Sequence, residues 1–110
     1  MPRVGAVIAV LVLAFPALGS LQDLPAQGEK VFVAQKCSLC HSVDGKGNTK
    51  GPLDDVGSRL SSDDVRGWIT DAKGMTEKSK ADRKPVMKVY TLPKDDVDAL
   101  VAYLSTLKKS

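Results

Sequence analysis

All the cysteine and histidine of this chain lies within five consecutive positions, Cys37-Ser38-Leu39-Cys40-His41. The pattern C-x-x-C-H is the signature of covalent c-type haem attachment. Two thiols three positions apart can reach the two vinyl groups of one porphyrin and close two thioethers. The histidine next to the second thiol is then held beneath the ring, with an imidazole nitrogen aimed at the iron, and a proximal histidine is one of the few side chains that hold haem iron. A chain of this kind must fold around a large flat group fixed at one place. The remaining sequence is therefore read as its housing.

Three blander readings of the pentapeptide compete with this one. A thioredoxin-like redox pair needs a βαβ pattern around the C-x-x-C, and the sequence shows none. A four-ligand zinc site built from Cys and His needs a further Cys or His, and the chain has only two Cys and one His. A disulfide between Cys37 and Cys40 closes so short a loop that it constrains very little chain.

Haem attachment of this kind goes with export, and the N-terminus reads as an export signal. Arg3 supplies a short positive region, Val4 to Leu18 is a nearly unbroken apolar run, and Ala17-Leu18-Gly19 offers small residues at a cleavage site. That layout is a secretory signal over residues 1–19. The competing reading is an uncleaved membrane anchor, but a spanning helix wants about 20 apolar residues. This run is shorter and Pro16 interrupts it. The expected location is periplasmic, with a membrane tether only if the signal stays attached. Residues 20–110 then form one small domain. Such a core needs a staple, and an attached haem supplies one. Arg3 is the one charge in the first nineteen residues, so cleavage takes the net charge from +3 to +2. That balance does not suggest a nucleic-acid-binding protein.

Along residues 20–110, Ser20 to Gln27 with Pro25 reads as a loose lead-in. A first helix is expected from about Gly28 to Lys36, with Val31 and Phe32 on one face. Val43 to Val56 is punctuated by Gly45, Gly47, Gly51 and Pro52 and reads as a long loop; loops of this length in small domains are usually functional. Ser61 or Ser62 can cap the next helix, and Ser61-x-x-Asp64 resembles a capping box. Val65, Trp68, Ile69 and Ala72 follow at helical spacing, with Gly74 as the expected stop. Residues 75–91 are polar and basic, with Pro85 and no clear period, and read as a second loop with room for a short helical turn. The last helix is expected from Lys94 to Leu107, with Val97, Leu100, Val101, Leu104 and Leu107 as its apolar stripe. Asp95, Asp96 and Asp98 at its start and Lys108 and Lys109 after its end suit the helix dipole. No convincing strand appears. The fold class is all-α, with three main helices and long loops wrapped around one haem.

At this point the chain resembles the small, monohaem class I cytochromes c of the bacterial exported type. The likeness covers nearly all of residues 20–110. C-S-L-C-H just after the first helix is where that family carries its haem motif. Gly28-x-x-x-Phe32 in the first helix and Leu100 with Tyr103 in the last match the positions at which the family's terminal helices cross. Gly51-Pro52-Leu53 matches the segment whose proline carbonyl accepts a hydrogen bond from the haem-binding histidine, and the resemblance gives that role to Pro52, acting on His41. Gly57-Ser58-Arg59-Leu60 and Trp68-Ile69 match the family's middle segment, so Arg59 and Trp68 are candidates for bonding the haem propionates.

For the sixth iron ligand, the sequence has no second His, and Met1 leaves with the signal. Met75, Met87 and, more remotely, a lysine are left. The resemblance favours Met87, behind Pro85 and just before the last helix. Two features depart from the family pattern: Lys88 rather than proline follows Met87, and Pro93 stands where a capping serine is usual. With His41 and Met87 both on the iron there is no open place for substrate, and Met/His ligation raises the reduction potential. The resulting expectation is a monomeric one-electron carrier rather than an enzyme, passing electrons between redox proteins. The alternatives are a haem enzyme or sensor with a labile sixth ligand, and a cytochrome subunit of a larger dehydrogenase or oxidase complex. From Lys73 to Lys88 there are six basic residues against two acidic ones, a net +4, whereas Asp54 to Asp64 carries a net −3. Charge of this kind steers encounters, so the basic stretch is expected to dock partners with an acidic face.

Overall fold

The structure is a computed structural model that describes Gly5 and residues 19–108. The expectation of a cleaved secretory segment falls largely outside those residues. Among the described residues no helix is long and apolar enough to cross a membrane.

The described chain is helical with one minimal hairpin. Helix α1 spans Gly19–Ala34; strands β1 and β2 are Ser42–Val43 and Lys46–Gly47; α2 is Val56–Arg59, α3 Ser62–Thr70, α4 Ala72–Ser79 and α5 Lys94–Ser105. Helix α1 starts well before the expected Gly28. Pro25 sits inside it, although proline ordinarily removes a helical hydrogen bond. The packing face explains the longer helix: Leu24, Gly28, Val31 and Phe32 recur at helical spacing, with Leu24 and Val31 half-buried and Gly28 and Phe32 buried.

The centre of the fold is the crossing of α1 and α5. Gly28 lies against the Ala99 carbonyl and the Tyr103 side chain, so close that any Cβ there would collide with both. The bare backbone lets Phe32 meet Tyr103 edge to face, with ring centroids 5.8 Å apart and planes at 63°. The α5 stripe Val97, Leu100, Val101 and Leu104 is buried, and Val65 and Ile69 of α3 and Val56 of α2 join it in one core. Asp98, expected to serve the helix dipole, instead bridges two elements. It accepts from Arg66 of α3 at 2.7 Å and from Lys94 at 2.6 Å.

The middle of the chain differs from expectation at two places. Gly74 does not stop a helix. Asp71 ends α3 and caps α4, its carboxylate accepting from the Gly74 amide at 3.2 Å. Helix α4 then continues to Ser79, into the stretch expected to be loop with at most a short helical turn. It carries no apolar period of its own and rests on fully buried Ala72 and on Met75, whose sulfur lies over Gly67. The second difference is the β1–β2 pair, where no strand was expected. Asp44 and Gly45 both have positive φ, 51° and 76°, the backbone that an Asp-Gly hairpin turn adopts. The Ser61 cap is present as expected, its hydroxyl accepting from the Asp64 amide at 3.1 Å.

Candidate haem-attachment site

The site is built on a tight turn. Lys36 takes a left-handed conformation, φ 56°, and swings the chain out of α1 into a single 3₁₀ turn, Cys37–Leu39. The Cys37 carbonyl then accepts from both the Cys40 amide at 3.1 Å and the His41 amide at 3.0 Å. These bonds fix the two thiols and the imidazole on one short coil. Both cysteines are free thiols; Cys37 is buried in the core and Cys40 is exposed.

The loop that follows holds this turn in place. The Asn48 amide donates to the carbonyls of Ser38 (3.0 Å) and His41 (3.1 Å), and the Asn48 side chain donates to the Leu39 carbonyl at 3.1 Å. Asn48 therefore satisfies three carbonyls of the motif. Sequence reasoning missed it, because nothing in a polar loop marks one asparagine for that task. Gly47, with φ 105°, passes so close to the His41 carbonyl that no side chain would fit.

His41 Nδ1 lies 3.0 Å from the Gly51 carbonyl oxygen. A carbonyl can only accept, so Nδ1 carries the proton and Nε2 keeps its lone pair. The expectation assigned this acceptor role to Pro52; the structure places it one residue earlier. The reason is the pairing of the two segments: the Ser42 amide also donates to Gly51 O at 3.1 Å, and the Leu53 amide returns a bond to Ser42 O at 2.9 Å. That register turns the Gly51 carbonyl toward the imidazole, while Pro52 is exposed. Burial holds the His41 imidazole below its usual pKa; the Gly51 bond opposes this, and the Arg83 charge adds to it. The ring is neutral at pH 7, as a metal ligand must be. Burial also pushes the Cys37 thiol up, against the Tyr90 hydroxyl beside it, and the Tyr90 hydroxyl is itself pushed up to about 12.

The other expected residues lie further out. Arg59 is exposed, and its Nε is engaged by Asp55 at 2.9 Å one turn earlier. Trp68 is half-buried on α3. Met87 is half-buried in the irregular segment 80–93. Arg83 and Tyr90 pin that segment on either side of it: Arg83 donates to the Cys40 carbonyl at 2.6 Å and the Tyr90 amide donates to the Ile69 carbonyl at 3.3 Å. Two free thiols and a neutral imidazole with an unengaged Nε2, all on one turn, are the donor set that a covalently attached haem requires.

The chain matches the family model described as Cytochrome c over residues 25–108. It is similar to a protein of Alkalihalophilus pseudofirmus, strain OF4, named Cytochrome c oxidase subunit 2, with 32% identity over 97 residues. The match covers 79% of this chain and 27% of that protein, so the chain spans about a quarter of the relative it matches. No solved structure matches significantly.

Proposed function

We infer the function from one premise: the chain belongs to the cytochrome c family. It is a haem-based electron-transfer protein, with haem c bound covalently through Cys37 and Cys40. We propose that it is a one-electron carrier moving electrons between redox proteins outside the cytoplasm. The observation that carries this reading is the His41–Gly51 bond, which leaves Nε2 as the free ring nitrogen.

Bound haem supplies the one-electron couple. The chain's own residues do the rest. His41 Nε2 is the proposed proximal iron ligand, and the Nδ1 bond to Gly51 fixes the ring and raises its basicity. Met87 is the proposed sixth ligand, a soft thioether on a segment pinned on both sides. Met75 instead packs against Gly67 of α3. Arg59 and Trp68 are retained as proposed propionate partners, Arg59 by leaving Asp55. The periplasmic location rests on the charged and apolar pattern of the first nineteen residues.

The ligand assignment is tested by paired substitutions. Met87→Ala removes the weak red-edge absorption band of the oxidised protein. It also lowers the potential by a sizeable part of the roughly 0.8 V that axial ligation spans and lets carbon monoxide bind. Met75→Ala leaves all three unchanged. The reverse pattern would move the ligand to Met75.

Docking is proposed on the basic residues of α4 and the segment after it. Electron-transfer encounters are small and transient, and charge complementarity mainly raises their on-rate. Reversing Lys84 and Lys88 to Glu slows second-order electron transfer to an acidic partner about tenfold or more at low ionic strength, and added salt narrows the gap. Equal rates at low salt would assign docking to uncharged surface. A second reading is favoured by the similarity to an oxidase subunit: a cytochrome unit attached to, or serving, a terminal oxidase. Co-purification of oxidase subunits under mild detergent supports it, and a protein recovered alone supports the free shuttle.

A further inference from the structure

Arg83 is forty-three residues from Cys40 in sequence, yet its Nη2 donates to the Cys40 carbonyl at 2.6 Å. Its other terminal nitrogen, Nη1, lies against Gly51, in the space a Cβ would take. The guanidinium thus touches both shoulders of the His41 site. One is the residue before His41, and the other is the glycine whose carbonyl holds the ring. Only an unsubstituted Gly51 leaves it that room.

We propose that Arg83 is a positioning residue, a strap that holds the Met87-bearing segment onto the haem-attachment turn and sets a fixed positive charge beside His41. The proposal deepens the ligand reading above and rests on it for the role of Met87. Between the end of α4 and the start of α5, the long-range backbone anchor is the Tyr90 amide on Ile69. Arg83 supplies the matching anchor on the other side of Met87. Arginine suits the place because its planar fork can set one terminal nitrogen on a carbonyl and lay the other along a second segment, which a lysine ammonium cannot do. The charge has a second effect. A fixed cation at this distance disfavours any additional positive charge on the His41 side, so it favours the reduced state of the protein. Arg83 is exposed, so salt screens this effect.

The test uses the holoprotein with Arg83→Met, which removes fork and charge, and Arg83→Lys, which keeps the charge. Two quantities are read: amide hydrogen exchange over residues 84–90, and the reduction potential at low and high salt. In Arg83→Met, exchange over 84–90 rises about three- to tenfold, as the loss of one solvent-exposed hydrogen bond implies, while α5 is unaffected. The potential falls, and the fall shrinks at high salt. Arg83→Lys restores most of the potential but not the exchange protection. Unchanged exchange in both variants, or an unchanged potential in Arg83→Met, overturns the proposal. If Arg83→Met yields no holoprotein, the exchange of Arg83→Lys decides alone, and wild-type protection there overturns the strap. Hydrogen exchange reads the strap whichever residue binds iron, and the Met87→Ala band reads the ligand whether or not the strap exists.

Discussion

The double variant Cys37→Ala, Cys40→Ala shows no haem stain after denaturing electrophoresis, and its far-ultraviolet circular dichroism shows a largely unfolded chain. Loss of the stain follows from losing both thioethers. Loss of the fold follows from the size of the core. Eleven apolar residues are buried among the described ones, and three of these are Ala72, Ala99 and Cys37 itself. A core this small stands only narrowly above the conformational entropy that folding must offset, and a group that is held only by the folded state adds to that margin. Cys40→Ala alone is milder, since Cys40 is exposed and one thioether remains at Cys37. The decisive outcome is a double variant that lacks haem and still unfolds cooperatively with wild-type helicity. Such a chain would show that the α1–α5 crossing stands without the cofactor.

What could be read from the sequence was what is encoded locally. The attachment motif is five adjacent residues, so its chemistry does not depend on the fold. Helix α5 carries a four-residue buried stripe, and Ser61 caps α3 through an amide three residues away. Gly28, Phe32 and Tyr103 pointed to the helix crossing through the resemblance to the class I cytochromes c; their spacing alone marks ordinary core residues. The misreadings share a different origin. Pro25 and Gly74 read as punctuation in the sequence, but a helix runs through each, with Leu24 half-buried on the face of α1 and Asp71 capping the turn of α4 at Gly74. The Asp44-Gly45 turn was a legible hairpin signal, yet its strands are two residues long and show no alternation. The shift from Pro52 to Gly51 is one peptide unit, which depends on the pairing of Ser42 with the opposite segment. Arg83 reaches Cys40 from forty-three residues away in the sequence, a contact that spacing does not predict.

Gly28→Ala destabilises the holoprotein by about 1–3 kcal/mol, and Gly28→Val by more. Two effects oppose each other here. In an open helix, alanine improves on glycine by roughly 1 kcal/mol through helix propensity. At Gly28, however, a Cβ would collide with the Ala99 carbonyl oxygen and come within 2.6 Å of the Ala99 carbonyl carbon and of Tyr103 Cβ. Two of those three atoms are α5 backbone and cannot rotate aside, so the helices must separate. Inserting atoms into a packed site typically costs about 1–3 kcal/mol. Separation also loosens the Phe32–Tyr103 edge-to-face pair, worth about 0.5–1.5 kcal/mol beyond its buried area. Overpacking and the lost aromatic contact together exceed the propensity gain, and a β-branched valine adds bulk at the same point. Ala99→Gly does not rescue Gly28→Ala, because the obstacle is the carbonyl rather than the methyl group. Guanidinium unfolding of holoprotein that keeps both thioethers measures the effect through a lowered midpoint. A Gly28→Ala variant at least as stable as wild type would mean that the crossing is looser than its geometry indicates, with the propensity term deciding the sign.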